Sequence, residues 1–178
     1  MDEKKLISDL PVRGIAAICL RAAKRAVPLL LQSENVDKDV IEESIATAGK
    51  VLNRQELSNK LHEVSEQLYA LVAQIASRHR IGKETGLGQV VAAGTVIHTA
   101  IDCIAELDVD PLAAETNALL VIRTTSKIGD ASLQREVMRD LELLRNCDGD
   151  VEVAFGSTSP FGALWTHGPP HWFANNEP

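Results

Sequence analysis

Residues 53–76, NRQELSNKLHEVSEQLYALVAQIA, carry the clearest periodic pattern in the chain. Leu57, Leu61, Val64, Leu68, Leu71, Val72 and Ile75 recur at spacings of three and four, which lays them along one stripe of a helix. Asn53, with Glu56 three residues later, has the form of a capping box, in which each side chain satisfies a backbone N–H that a first turn leaves unpaired.

The helical period extends outward in both directions. Upstream, Ile15, Ala16, Cys19, Ala22, Ala23, Ala26 and Leu30 form a first apolar face beginning near Pro11, where a missing N–H is harmless. Pro28 falls inside that pattern and predicts a kink or an early end. Asp37 caps a second helix through Ile41, Ile45, Ala48 and Leu52. Downstream, SRHRIGKETG (77–86) is polar and contains glycine, so it predicts an interruption, with Thr85 capping a fourth helix through Ile97, Ile101 and Ile104. Asp110 and Pro111 open a fifth through Leu112, Leu119 and Ile122, and after Gly129 and Asp130 a sixth carries Leu133, Val137, Leu141 and Leu144. Six amphipathic helices with short connections predict an all-α antiparallel bundle over residues 1–147. The alanines and glycines of helices one and four suit close approach of helix axes.

Residues 148–178 differ in character and are expected to form an extended C-terminal arm, rich in aromatic residues and proline. Five of the six aromatic residues lie there, Phe155, Phe161, Trp165, Trp172 and Phe173, with Tyr69 the sixth. Four of the seven prolines are there too, and no Lys or Arg is. VEVAF (151–155) alternates apolar and polar residues like a strand. Such an arm seeks a surface, because large aromatic side chains dominate both cores and interfaces. Phe161, Trp165, Trp172 and Phe173 are the expected contact residues. They lie across a groove of their own bundle, on another protein, or on a second copy of the chain after exchange about Gly156. PPHW (169–172) falls short of a Pro-Pro-x-Tyr ligand, since Trp172 lacks the phenolic hydroxyl.

A length of 178 residues with 45% hydrophobic and 24% charged content describes one folding domain. The net charge is −7 and the 18 basic residues are scattered, so no nucleic-acid partner is expected; Arg21, Lys24 and Arg25 read as a solvated helix face. Cys19, Cys103 and Cys147 form no CxxC pair and suggest neither a disulfide framework nor a zinc site. The opening MDEKKLISDL is acidic where a signal peptide is basic, and VVAAGTVIHTAIDCIA carries His98 and Asp102, so a cytoplasmic protein without a membrane span is expected.

Chemical motifs are sparse. In GKETGLG, Lys83 is followed by Glu84 where a phosphate loop needs a hydroxyl residue. Asp148, Asp150 and Glu152 imitate the start of a calcium loop, but Val153 replaces its turn glycine. His62 with Glu66, and His98 with Asp102, stand four apart and share helix faces, which invites a metal between two helices. At about 100° per residue, His62 and Glu66 point away from the apolar stripe. His98 and Asp102 are left as the candidate pocket pair. Cys103 reads as a buried structural thiol, and no Gly-x-Ser-x-Gly elbow occurs. No catalytic residue, metal or cofactor is expected. The favoured function is a non-catalytic protein-interaction or adaptor module; the alternative is a small enzyme or sensor with a pocket around His98 and Asp102.

Overall fold

The computed structural model describes residues 4–34, 36–82, 87–129, 131–147, 154–155 and 159–174, without the side chains of residues 4, 6, 79–82, 87, 173 and 174. Its helices are α1 (Lys4–Ile7), α2 (Val12–Leu30), α3 (Lys38–Leu52), α4 (Asn59–Gly82), α5 (Leu87–Ala105), α6 (Pro111–Thr125), α7 (Ser132–Arg145) and α8 (His171–Ala174). Six are long, and α1 and α8 have four residues each. No strand occurs among the described residues.

At the centre is α5, which packs on α2, α3, α4 and α6, while α7 lies on α2 and α6. Burial of α2 goes all the way round: every residue from Gly14 to Leu30 is buried except Lys24. Small residues permit this. A β-carbon on Gly14 would stand 2.6 Å from Leu144 Cδ1 of α7, and one on Gly94 of α5 would stand 2.6 Å from Val72 Cγ2 of α4. Pro11 is the residue before α2, and Pro28 stands in its last turn, two residues short of the end at Leu30.

Asn53 does not cap α4. It ends α3, where Arg54 takes φ 58° and two bonds close the helix, Arg54 N–H to Val51 O at 2.9 Å and Gln55 N–H to Lys50 O at 2.8 Å. This is a Schellman closure with arginine in the position that usually takes glycine. Glu56 faces Lys50 Nζ at 3.3 Å instead of reaching back to a helix start. Consequently α4 begins at Asn59, and Leu57 lies in the connection, 78% exposed. At its other end α4 runs through residues 77–82, because Ser77 bonds back to Gln74 O (2.8 Å) within its own helix and no strong breaker precedes Gly82. Thr85 lies outside the described residues.

Two other caps follow the sequence reading. Asp37 accepts from Asp39 N–H at 2.9 Å, and Asp110 accepts from Leu112 N–H and Ala113 N–H at 3.1 Å each, with Pro111 first in α6. The alternating segment 151–155 is described only at Ala154 and Phe155, and the acidic residues Asp148, Asp150 and Glu152 lie outside the described residues.

The core is aliphatic throughout the long helices, and Phe161 and Trp172 join it from beyond α7. By length and mean hydropathy, Gly88–Ala105 of α5 is long and apolar enough to cross a membrane, but 67% of that window is buried against its neighbours. This is the behaviour of a core helix.

Candidate functional site

On α2, Arg21 and Arg25 are four residues apart; on α7, Glu136 and Asp140 are likewise. Each pair therefore shares one face of its helix, and α2 packs on α7, so the two pairs meet. The guanidinium of Arg21 donates from Nε to Asp140 Oδ2 at 2.8 Å. Arg25 Nη1 stands 2.8 Å from the same oxygen as a close ion pair, and Arg139 Nη2 donates to Asp140 Oδ1 at 2.7 Å. Glu136 holds Arg139 Nη1 at 2.9 Å and is 3.9 Å from Arg25 Nη2. Arg21 and Arg25 are 1% and 0% exposed, so the reading of Arg21 and Arg25 as a solvated face is corrected; only Lys24 of that trio is exposed.

Burial without partners is costly for a charge, and the partners explain why these arginines tolerate it. Desolvation lowers the Arg25 pKa, and Asp140 pulls it back up. After the ion pairs, each guanidinium still has N–H groups to place, since arginine carries five donors. Several go to backbone carbonyls beyond α7, while Arg25 Nη1 and Nη2 meet carboxylates without hydrogen-bond geometry and Arg139 Nε–H finds no acceptor among the described residues. Arg21 donates to Ala154 O (2.8 Å), Gly162 O (3.3 Å) and Ala163 O (2.8 Å), and Arg25 Nε donates to Leu164 O at 2.7 Å. Arg139 donates to Phe161 O and Ala163 O at 3.0 Å each, and to the Thr166 hydroxyl. Glu136 accepts from Thr166 N–H at 2.8 Å and from its hydroxyl at 2.9 Å.

Aromatic rings complete the contact. Phe161 is 1% exposed, with the Arg21 guanidinium carbon 5.3 Å from its ring centre. Trp165 is half-buried, faces Arg25 at 5.7 Å, and meets Trp172 edge-on at 5.7 Å and 76°. Trp172 is buried; its indole N–H finds no acceptor among the described residues and lies beside Gly129, which has φ 63°. Phe173 belongs to α8, with its side chain outside the described residues.

The second cluster lies between α4 and α5. His98 Nε2 is 3.6 Å from Asp102 Oδ2, and His98 Nδ1 is 3.1 Å from Thr99 Oγ1. Ser65 of α4 donates its hydroxyl to Asp102 Oδ1, and the Tyr69 ring lies 5.3 Å from the imidazole. The carboxylate stands between serine and histidine, so the imidazole is not placed to take the serine proton. Burial lowers the His98 pKa, with Asp102 opposing. His62 is exposed and faces Glu106 at 4.0 Å, and Glu66 is exposed. Among the described residues no group of three or more His, Cys, Asp or Glu could hold a metal ion.

Cys19 and Cys103, distant in sequence, are neighbours in the core; hydrogen bonding to the Cys103 thiol, with burial, raises the Cys19 pKa. A raised pKa and burial both oppose reactivity. The arginine–acid cluster was the feature missed by sequence reading. Its signal was present: Arg21 and Arg25 sit in register with Ile18 and Ala22 on an apolar helix, as Glu136 and Asp140 do with Leu133, Val137 and Leu141.

No protein-family model, curated protein or solved structure matches the chain. Function has to be read from the site itself.

Proposed function

We propose that the chain is a cytoplasmic, non-catalytic protein-interaction module: an antiparallel helical bundle whose α2–α7 face grips an extended segment by its backbone. The occupant of that face is the chain's own C-terminal arm or the same arm of a second copy. One observation carries the reading. Three arginines, fixed by Asp140 and Glu136, donate to the main-chain carbonyls of Ala154, Phe161, Gly162, Ala163 and Leu164. Backbone contacts give affinity that is largely indifferent to side chains, and Phe161 and Trp172 supply the anchors that select register. Nucleic acid is not a partner on this reading, because the three arginines of that face are neutralised by Asp140 and Glu136.

The test uses a chain with a protease site inserted between residues 148 and 153, so that after cleavage the arm is held without a covalent link. A fluorescent peptide of residues 154–174, present while the cut protein is refolded from urea, should be taken up saturably, and Arg139→Ala should weaken it. A cut protein that keeps its helices yet takes up no peptide would refute the proposal.

A second reading, a ligand or acid–base pocket at His98 and Asp102, draws on their pairing with Ser65 and Tyr69. Metal content of tag-free protein is its test: stoichiometric metal lost in His98→Ala supports it, and metal-free protein removes the metal form of it.

A further inference from the structure

A cavity of about 830 Å³ opens between α2 and α3, with Phe155 and Leu164 as its third wall. That size is typical of small-molecule sites, which are mostly apolar with a few placed polar groups. Its body is apolar: Val27 and Pro28 come from α2, Ile45 and Ala46 from α3, and Phe155 and Leu164 from beyond α7.

Charged groups rim it: Lys24, Lys38 and Lys50 with Glu42 and Glu43, and Glu56 beside Lys50. Lys38 faces Glu42 at 4.0 Å and Lys50 faces Glu56 at 3.3 Å. Lys24 is different: among the described residues no carboxylate lies within ion-pair distance of it, and its ammonium is held 5.0 Å from the Phe155 ring centre. It is also the one exposed residue in the otherwise buried run of α2 from Gly14 to Leu30. A cation fixed on the wall of an apolar cavity is an attachment point for an anionic head group whose hydrocarbon body fills the rest.

We infer that this cavity binds an amphiphilic carboxylate, with the head group on Lys24 and the apolar body between α2 and α3. The inference requires only that Phe155 and Leu164 stay in place, and it stands or falls apart from peptide exchange, because its test uses the intact chain.

The test is calorimetric titration of the intact protein with decanoate, decanol and decyltrimethylammonium, each below its micelle concentration. Decanoate should bind at one site per chain and more tightly than either of the others. Lys24→Met should weaken decanoate roughly fivefold, the scale of one exposed charge pair, and leave decanol unchanged. Lys24→Arg should restore the difference. Ala46→Phe, at an exposed helical position, should abolish binding with circular dichroism unchanged. Absence of saturable decanoate binding, or equal affinity for all three probes, overturns the inference, as does a Lys24→Met protein that binds decanoate as the parent does.

Discussion

At the scale of single residues, Asp140 is the acid on which the buried arginines depend. It is 0% exposed and contacts Arg21, Arg25 and Arg139. Asp140→Ala leaves two fully buried guanidinium groups without their main counter-charge, and removing one partner of a buried pair costs about 3–5 kcal/mol. Asp140→Asn keeps the shape and an acceptor oxygen and should cost less. Urea unfolding followed by circular dichroism measures both; a loss below about 1 kcal/mol for the alanine variant is what a surface ion pair gives, and would contradict the burial argument. His98 makes a second residue-scale prediction. Burial places its folded pKa below 6.5, so near neutral pH and below, the unfolded chain takes up the proton more readily than the folded one. The stability it contributes is complete above 6.5 and is lost as pH falls through the lowered folded value. Melting temperatures from about pH 7.5 down to about pH 5 should therefore fall less steeply in His98→Gln than in the parent. Parallel curves would mean the imidazole is not desolvated in the folded state.

At the scale of elements, two glycines on neighbouring helices should respond with opposite signs to the same substitution. Gly49 of α3 has room: among the described residues its added β-carbon would meet only Leu20 Cδ2 at 3.8 Å, an ordinary contact. Gly49→Ala should stabilise by roughly 0.5–1 kcal/mol through reduced backbone freedom. Gly94 of α5 has none, since Val72 Cγ2 would lie at 2.6 Å and Leu30 Cδ1 at 3.3 Å, and a β-branched neighbour cannot swing aside. Overpacking of about 1–3 kcal/mol outweighs the helix-propensity gain there, so Gly94→Ala should destabilise. Thermal melts of the two variants decide the matter, and stabilisation by both would show that α4 and α5 can part at no cost. The same elements explain what the sequence disclosed. Long periodic stripes, as in α4, and side-chain caps, as at Asp37 and Asp110, are local signals, and local signals survive folding. The Asn53–Glu56 pattern misled because the α3 closure needed Asn53 and Arg54, and Lys50 took Glu56. Arg21 and Arg25 misled because charge alone suggests water; their partners are more than 100 residues away, 119 between Arg21 and Asp140. The cavity beside Lys24 was unreadable for the same reason, being assembled from three separated segments.

At the scale of the whole molecule, the issue is whether residues 154–174 melt with the helices or before them. If they left alone, Arg21, Arg25 and Arg139 would exchange their carbonyl acceptors for water, a net loss of about 1.5–3 kcal/mol for each hydrogen bond to a charged group. Phe161 and Trp172 would also return to water, at about 1.5–3 kcal/mol for a large apolar side chain. Those sums rival the stability of an ordinary domain, so separation should not precede global unfolding. Both tryptophans of the chain, Trp165 and Trp172, lie in this stretch, so intrinsic emission reports on it while far-ultraviolet circular dichroism reports on the helices. The expected outcome is a blue-shifted native emission, poorly quenched by acrylamide, with urea transitions that coincide for the two probes. Trp165→Phe should leave the more protected signal, because Trp172 is buried and Trp165 is half-buried. An emission change that runs ahead of helix loss would show instead that the stretch is a detachable strap. The arginine face would then be open in a folded bundle and free to take the arm of another chain.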